Sequence, residues 1–236
     1  MFGELTDKVA LITGGSRGIG KAIAMELASR GSICILIARD VTRLQETAYE
    51  IKKISGKVEV YSADVSDYER ISEIVRDIEK KYKRIDILIN NAGIGLFALV
   101  TEIKIEDWHR VMDTNLTAVF YLTKQILPIM IKQEKGIIIN IASLAGRNSF
   151  VGGSLYCASK AGLIAFSECL MLEVRNYNIK VGLVLPGSVA TEFSDKGDVN
   201  WMLLPKDVAK QVINMIENRE KAFVSYIEIR PLKPVK

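Results

Sequence analysis

Tyr156 and Lys160 lie four positions apart in the stretch Ser154-Leu155-Tyr156-Cys157-Ala158-Ser159-Lys160, which is followed by good helix formers. On a helix, positions i and i+4 stack on one face. An ammonium beside a phenol favours the phenolate and is expected to draw the tyrosine from its ordinary pKa of about 10 toward neutrality. A tyrosine so placed can pass a proton at physiological pH. The pair alone carries little weight, because Tyr-x-x-x-Lys often arises by chance and ordinarily means a solvated lysine one turn from a half-buried tyrosine. The elements around it have to supply the rest.

A second chemical feature stands near the N-terminus. Lys8 to Thr13 is a short apolar run ending at glycines, which reads as a buried parallel strand. Gly14-Gly15-Ser16-Arg17-Gly18-Ile19-Gly20 follows, then a helical pattern over Lys21 to Arg30 stopped by Gly31. A strand, a glycine-rich turn and a helix N-terminus make an anion site, since free backbone N–H groups and the positive end of the helix dipole converge there. A phosphate is the natural guest. The second strand, Ser32 to Ala38, ends at Arg39, about 20 residues beyond the glycine turn, where NAD-preferring dinucleotide enzymes hold the adenosine ribose with an acidic residue. An arginine there suits a 2′-phosphate, and Arg17 can add a second positive charge. Asp40 is the rival, but neighbouring side chains in an extended segment point oppositely. Arg39 is therefore assigned to the ribose and NADP(H), rather than NAD(H), to the site.

The remaining elements alternate. Thr42 to Ile54 is an amphipathic helix, Lys57 to Ser62 a strand and Asp67 to Tyr82 a charged-faced helix, so the βαβαβα order predicts a parallel sheet with helices on both faces. Asp64-Val65 follows the third strand, and Asp64 on its own reads as a turn or helix-cap residue. Ile85 to Ile89 forms a fourth strand leading into Asn90-Asn91-Ala92-Gly93, whose small and amide side chains let a flat ring approach the backbone. Glu102 to Lys132 carries two helical patterns with Asn115 between them and Pro128 near the end. Asn115 either hydrogen-bonds locally and bends the helix or helps to hold a water. Gly136 to Asn140 opens a fifth strand ending near Ser143. The helix from Ser154 to about Tyr177 is apolar on nearly all sides, which predicts cover from its own sheet and from another subunit. Asn178 to Leu185 is the sixth strand, followed by Pro186-Gly187-Ser188-Val189-Ala190-Thr191. A last helix over Pro205 to Asn218 and a last strand over Ala222 to Arg230 complete the pattern.

Composition narrows the classes further. With 236 residues, 49% hydrophobic and 25% charged, the chain reads as one α/β domain spanning residues 1–236. The net charge of +4 is scattered without a basic block, which argues against nucleic acid. The cysteines Cys34, Cys157 and Cys169 show no ligand spacing, and His109 is the only histidine, so no metal site or disulfide framework is expected. The N-terminal segment lacks a basic region followed by an apolar one, and uncharged runs fall short of the roughly 20 residues of a bilayer span. A cytoplasmic protein without membrane attachment is expected.

Thr13-Gly14-x-x-x-Gly18-x-Gly20, Asn90-Asn91-Ala92-Gly93, Asn115, Ser143, Tyr156-x-x-x-Lys160 and Pro186-Gly187 together resemble the short-chain dehydrogenase/reductase family, in overall pattern 3-oxoacyl-carrier-protein reductases and related ketoreductases. The resemblance spans nearly the whole chain. It implies a single-domain Rossmann-type, doubly wound parallel sheet of about seven strands in the order 3-2-1-4-5-6-7. It implies hydride transfer between NADP(H) and a carbonyl/secondary alcohol pair, with a ketone or 3-oxoacyl thioester reduced. NAD-linked alcohol or steroid oxidation, or a non-catalytic nucleotide sensor, are the alternatives. By the same resemblance, Tyr156 is the general acid/base, Lys160 lowers its pKa and holds the nicotinamide ribose, Ser143 bonds the carbonyl, and Asn115 distorts its helix to hold a relay water. Gly14, Ser16, Arg17, Gly18, Ile19 and Gly20 match the pyrophosphate turn. Asp64 and Val65 match the adenine contact, and Asn91, Ala92 and Gly93 the adenosine-side floor. Pro186, Gly187, Val189 and Thr191 lie toward the carboxamide. A homotetramer or homodimer acting on a small-molecule substrate is implied. Two features depart from the family pattern: the interval from Thr191 to Pro205 is short, and Lys221-Ala222-Phe223 replaces an Asp-Gly-Gly tract. Leu96, Phe97, Leu144, Phe150, Phe193, Trp201 and Met202 are the candidates for the pocket wall, and they point to an apolar or aromatic carbonyl compound.

Overall fold

The computed structural model describes residues 5–193, 200–217 and 222–233. Strands and helices alternate from the start: β1 (Val9–Thr13), α1 (Gly18–Ser29), β2 (Ile33–Ala38), α2 (Val41–Lys53), β3 (Lys57–Ser62), α3 (Tyr68–Tyr82) and β4 (Ile87–Asn90). Then come α4 (Ile105–Met112), α5 (Ala118–Gln133), β5 (Gly136–Ile141), α6 (Ser154–Val174), β6 (Ile179–Pro186), α7 (Pro205–Ile216) and β7 (Tyr226–Ile229). The seven strands form one sheet in the order β3-β2-β1-β4-β5-β6-β7, and every neighbouring pair is parallel. This is the doubly wound Rossmann-type arrangement that the resemblance implied.

Strand periodicity decides which layer each apolar side chain enters. Ile12, Leu36, Ile89 and Val184 face α1 and α7, where they meet Ile23, Leu27, Val212 and Ile213. Their neighbours Leu11, Ile35, Leu88 and Ile138 face the opposite layer, against Ile74 and Ile78 of α3 and Leu122 and Ile126 of α5. With both faces covered, the central strands can be continuously apolar, as β1 is, all five of its residues being buried.

Several boundaries differ from the sequence reading, for local reasons. β4 starts at Ile87 rather than Ile85 because Asp86 turns its carboxylate back to β1, where it accepts from the Val9 N–H at 2.9 Å and pairs with Arg84 and Lys8. Between α4 and α5 the helix widens into a π turn over Asp113–Thr117, with Asn115 at its centre, and Pro128 lies in the C-terminal part of α5. β7 is shorter than Ala222 to Arg230. The preceding Phe223 packs into the core instead of extending the strand. Asn218 and Lys221 lie outside the described residues, and the described part of the last helix ends at Ile216. The α6 helix and its following turn, Ser154–Tyr177, are long and apolar enough to cross a membrane, but half of its most apolar window is buried inside the fold.

Candidate active site

The carboxyl ends of β1, β4, β5 and β6 open onto a cavity of about 1890 Å³. Parallel strands leave their ligand crevice on this side. Gly14, Ser16, Arg17, Gly18, Ile19, Arg39, Asp64, Val65, Asn91, Ala92, Gly93, Ser143, Tyr156, Lys160, Pro186, Gly187, Val189 and Thr191 all line it. Two predicted residues do not: Gly20 sits beneath the turn and Asn115 is fully buried behind the wall.

The turn after β1 is shaped by backbone conformation. Gly14 and Gly18 adopt φ of 66° and 55°, the left-handed region open to glycine. A Cβ on Gly20 would run into the Gly14 carbonyl oxygen and the Asn91 amide. Asn91 donates to the Thr13 carbonyl at 2.9 Å, and Thr13 Oγ1 accepts from the Asn91 and Ala92 N–H groups, each at 3.0 Å. The Asn91 side chain therefore shapes the turn, while its neighbours Ala92 and Gly93 supply the flat floor. This cradle, which any added Cβ would fill, fits a dinucleotide pyrophosphate over the start of α1.

At the far end of the cradle, Asp40 caps α2 by accepting from the Arg43 N–H at 3.1 Å, and its carboxylate lies 3.3 Å from the Arg43 guanidinium. Arg39 is left facing the cavity, with Asp64 3.7 Å away. Asp64 serves two purposes, since one oxygen accepts from the Ser66 N–H and hydroxyl at 2.9 and 2.7 Å while the other faces Arg39. Arg43, in the first turn of α2, joins Arg17 and Arg39 to make a three-arginine rim. Sequence reasoning missed Arg43. Its signal was a basic residue one helical turn past Arg39.

At the other end, α6 presents Tyr156 and Lys160, 8% and 4% exposed. Lys160 Nζ donates to the Ile141 carbonyl at 3.0 Å and stands 5.9 Å from the Tyr156 ring centre. Burial pushes the Tyr156 phenol up to about 12 against the downward pull of its hydrogen bond with Ser143, and burial brings the Lys160 ammonium down to about 8. The expectation that the lysine draws the tyrosine toward neutrality is thus corrected for the protein's own groups. Both are desolvated, and the ammonium is aimed at a backbone carbonyl rather than at the phenol oxygen. Desolvation therefore outweighs attraction.

Asn115 ties the pieces together from behind. Its carbonyl accepts from the Ile94 N–H at 2.8 Å, and its amide donates to the Ile94 carbonyl at 2.9 Å and to Ser159 Oγ at 3.0 Å. Ser159 in turn donates to the Tyr156 carbonyl at 2.8 Å. Gly93 is close enough that an added Cβ would lie 3.3 Å from Asn115 Oδ1 and 3.5 Å from Lys160 Nζ. Deeper still, Asn90 donates to Asn140 at 2.8 Å and Asn140 to Ser167 at 2.7 Å, which links β4, β5 and α6 beneath the site.

The wall opposite Lys160 is aromatic. Phe97 and Phe193 approach the Tyr156 ring with centroids at 5.5 and 5.6 Å, and Phe150 lies 5.6 Å from Phe97. Phe193 rests on Gly95 and Phe150 on Gly153, where a Cβ would come within 2.5 and 2.7 Å of the rings. Leu144 and Trp201 also line the cavity, whereas Leu96 and Met202 do not. In the interval between Thr191 and Pro205, residues 194–199 lie outside the described residues.

Comparison with known proteins gives a consistent picture. The family profile described as short chain dehydrogenase matches residues 8–199. An uncharacterised oxidoreductase of Staphylococcus saprophyticus is 37% identical over 97% of this chain and 99% of its own length. A 3-oxoacyl-[acyl-carrier-protein] reductase of Thermotoga maritima is 40% identical over 82% of this chain and 78% of its own. Among solved structures, a metagenomic short-chain oxidoreductase in complex with NADP superposes with a TM-score of 0.87 at 35% identity, covering 98% of this chain and 99% of that one.

Proposed function

The chain belongs to the short-chain dehydrogenase family of oxidoreductases, and we propose that it is an NADP(H)-dependent carbonyl reductase acting on a ketone or 3-oxoacyl thioester. The observation that carries this reading is the convergence of Ser143, Tyr156 and Lys160 at one end of a cavity whose other end is a glycine cradle rimmed by arginines. Relatives support it: one is a 3-oxoacyl-[acyl-carrier-protein] reductase and a structural neighbour is in complex with NADP.

The bound cofactor would supply the hydride, and the chain supplies everything else. Gly14, Ser16, Gly18 and Ile19 would hold the pyrophosphate. Arg39 would meet the 2′-phosphate, while Asp64 and Val65 would border the adenine. Asn91, Ala92 and Gly93 would floor the adenosine side, and Pro186, Gly187, Val189 and Thr191 would bound the nicotinamide end. Ser143 would hydrogen-bond the substrate oxygen as negative charge develops there. Tyr156 Oη would donate its proton to that oxygen, and its raised pKa keeps the proton in place until it is needed. Lys160 would hold the nicotinamide ribose with its ammonium. The π turn at Asn115 frees its backbone from regular helix bonding, as a relay water beside Lys160 requires.

An NAD-linked alcohol or steroid dehydrogenase would need an acidic residue at the ribose, and Asp40 is turned to α2 instead. A non-catalytic sensor would have no use for the complete set of Asn115, Ser143, Tyr156 and Lys160. Apolar residues left exposed along α4, α5 and α6, among them Trp108, Phe120 and Leu172, support assembly as a homodimer or homotetramer. The test of function is oxidation of NADPH beside NADH across acetoacetyl thioesters, diketones, aromatic ketones and quinones. Turnover with NADPH on any member is expected. Tight NADPH binding with silence across the panel would instead favour the sensor.

A further inference from the structure

The charged residues that line the cavity are unevenly placed. Arg17, Arg39, Asp40, Arg43, Asp64 and Glu192 gather at the cofactor end, joined by the ion pairs Arg17–Glu192, Arg43–Glu192, Arg43–Asp40 and Arg39–Asp64. Lys160 is buried and turned to the Ile141 carbonyl. Arg230, immediately after β7, is the remaining charge among the described residues. Its two neighbours fix where it stands. The Gly187 N–H donates to the Ile229 carbonyl at 2.8 Å, and a Cβ on Gly187 would lie 3.0 Å from Pro231 Cδ and 3.2 Å from Leu144 Cδ1. Arg230 is thus held at the substrate end, beside the turn that begins at Ser143, and among the described residues no acid lines that end.

We propose that Arg230 is a specificity-determining residue that receives an anionic group of the substrate, so that the preferred carbonyl compound carries a carboxylate or phosphate away from the carbonyl being reduced. The proposal rests on the reading of the site as that of a carbonyl reductase.

The way Arg230 is paired supports this role. An arginine and a carboxylate ordinarily meet fork to fork, through two parallel hydrogen bonds. Here Arg230 uses Nη2 alone, donating to Glu228 Oε2 at 2.7 Å, because Oε1 of the same carboxylate faces Nη1 of Arg147 at 3.7 Å. Arg147 is the better satisfied of the two. It has a second acid, Glu168, at 3.8 Å and lies 4.3 Å over the Tyr226 ring. Arg230 keeps Nε and Nη1 without a partner among the described residues, and its side chain is more than half exposed. Glu228 therefore tethers the guanidinium by one corner without neutralising it fully, and a planar donor so oriented suits a carboxylate or phosphate. Phe97, Phe150 and Phe193, at the same end of the cavity, give the apolar body of such a substrate its wall.

Matched pairs of charged and neutral substrates test it. NADPH oxidation is followed with 4-acetylbenzoate beside its methyl ester, and with acetoacetyl coenzyme A beside acetoacetyl-N-acetylcysteamine, in the wild-type protein, Arg230→Gln and Arg230→Glu. Wild type is expected to favour the charged member of at least one pair by about five- to thirtyfold in kcat/KM. Arg230→Gln should bring that ratio to about one and Arg230→Glu should reverse it, mainly through KM, with the neutral member changed by less than about twofold. Added salt should erode the wild-type preference. A response in the benzoate pair assigns the anion to a carboxylate on a short body, and one in the thioester pair to a phosphate on a long arm. A second arm needs no turnover: 4-isopropylbenzoate and its amide are titrated by calorimetry into the NADP⁺-saturated proteins, where Arg230→Gln should abolish a preference for the acid. Ratios that Arg230→Gln leaves unchanged in both kinetic pairs and in calorimetry would overturn the proposal, with carbonyl reduction untouched. An Arg230-dependent preference in calorimetry without turnover of any ketone would sustain the anion seat and count against the reductase reading.

Discussion

The two ends of the cavity are built from different materials. The cofactor end is backbone: glycines with no room for a Cβ, an asparagine locking the turn through carbonyl groups, and a helix start. The substrate end is side chain: Phe97, Phe150 and Phe193, each roughly half exposed, laid against glycines and against one another. Backbone shape tolerates almost no substitution but suits a cofactor shared by many enzymes. A wall of rings can be exchanged residue by residue, so specificity can change without disturbing the fold.

Tyr156 stands at the seam, and its replacement should separate the two ends most sharply. Tyr156→Phe keeps the ring packing and removes the proton, so turnover should fall by about 10²- to 10⁴-fold while NADP⁺ affinity is unchanged. Single-turnover kinetics beside calorimetry measures both, and retained turnover would refute the assignment. Gly20→Ala attacks the backbone end. Forcing a methyl against the Gly14 carbonyl should cost about 1–3 kcal/mol of stability and weaken NADP⁺ binding by about tenfold or more, read by urea denaturation and titration. A variant with wild-type affinity would show that the cradle is more plastic than its geometry suggests.

The pH dependence tests the seam more finely. Lys160 titrates near 8 against an ordinary 10.5, and Tyr156 near 12. Reduction should therefore hold up below pH 8 and decline by about tenfold per unit above it, as the ammonium loses its proton while the phenol keeps its own. Stability runs the opposite way. Because the folded pKa of Lys160 lies below the unfolded one, burying the cation is a penalty present in full below pH 8 and relieved as pH rises from about 8 toward 10.5. A rate profile flat to pH 10, or a Lys160→Met variant whose stability difference from wild type does not shrink over that window, would contradict the burial. The smallest effect belongs to the aromatic wall. Phe150→Leu should alter the kcat/KM ratio of an aryl ketone to a short aliphatic ketone by only about two- to tenfold, with NADP⁺ affinity untouched.

The same contrast explains what could be read from the sequence. The sheet order came from the family resemblance and pairs strands as far apart as Ala10 and Ile87. The alternation of strands and helices, the glycine turn and the Tyr156/Lys160 spacing are local patterns, so each was legible. The charge balance of the seam was not, because it depends on burial and on the Ile141 carbonyl that receives Lys160, which lies 19 residues away. The Arg43 and Glu192 pairing joins positions 149 residues apart, and no spacing rule announces it. The start of β4 was misplaced because the carboxylate of Asp86 answers to β1 rather than to its own strand.

The buried chain from Asn90 through Asn140 to Ser167 has a consequence for how this protein can change over time. Asn90 and Asn140 are register partners on adjacent strands, and Ser167 passes its own hydrogen on to the Leu163 carbonyl at 2.6 Å. Replacing any one member strands the others without water to turn to, whereas replacing them jointly by apolar residues removes the demand altogether. Single substitutions here should be strongly epistatic, so descendants of this sequence would keep the trio whole or exchange it as a block.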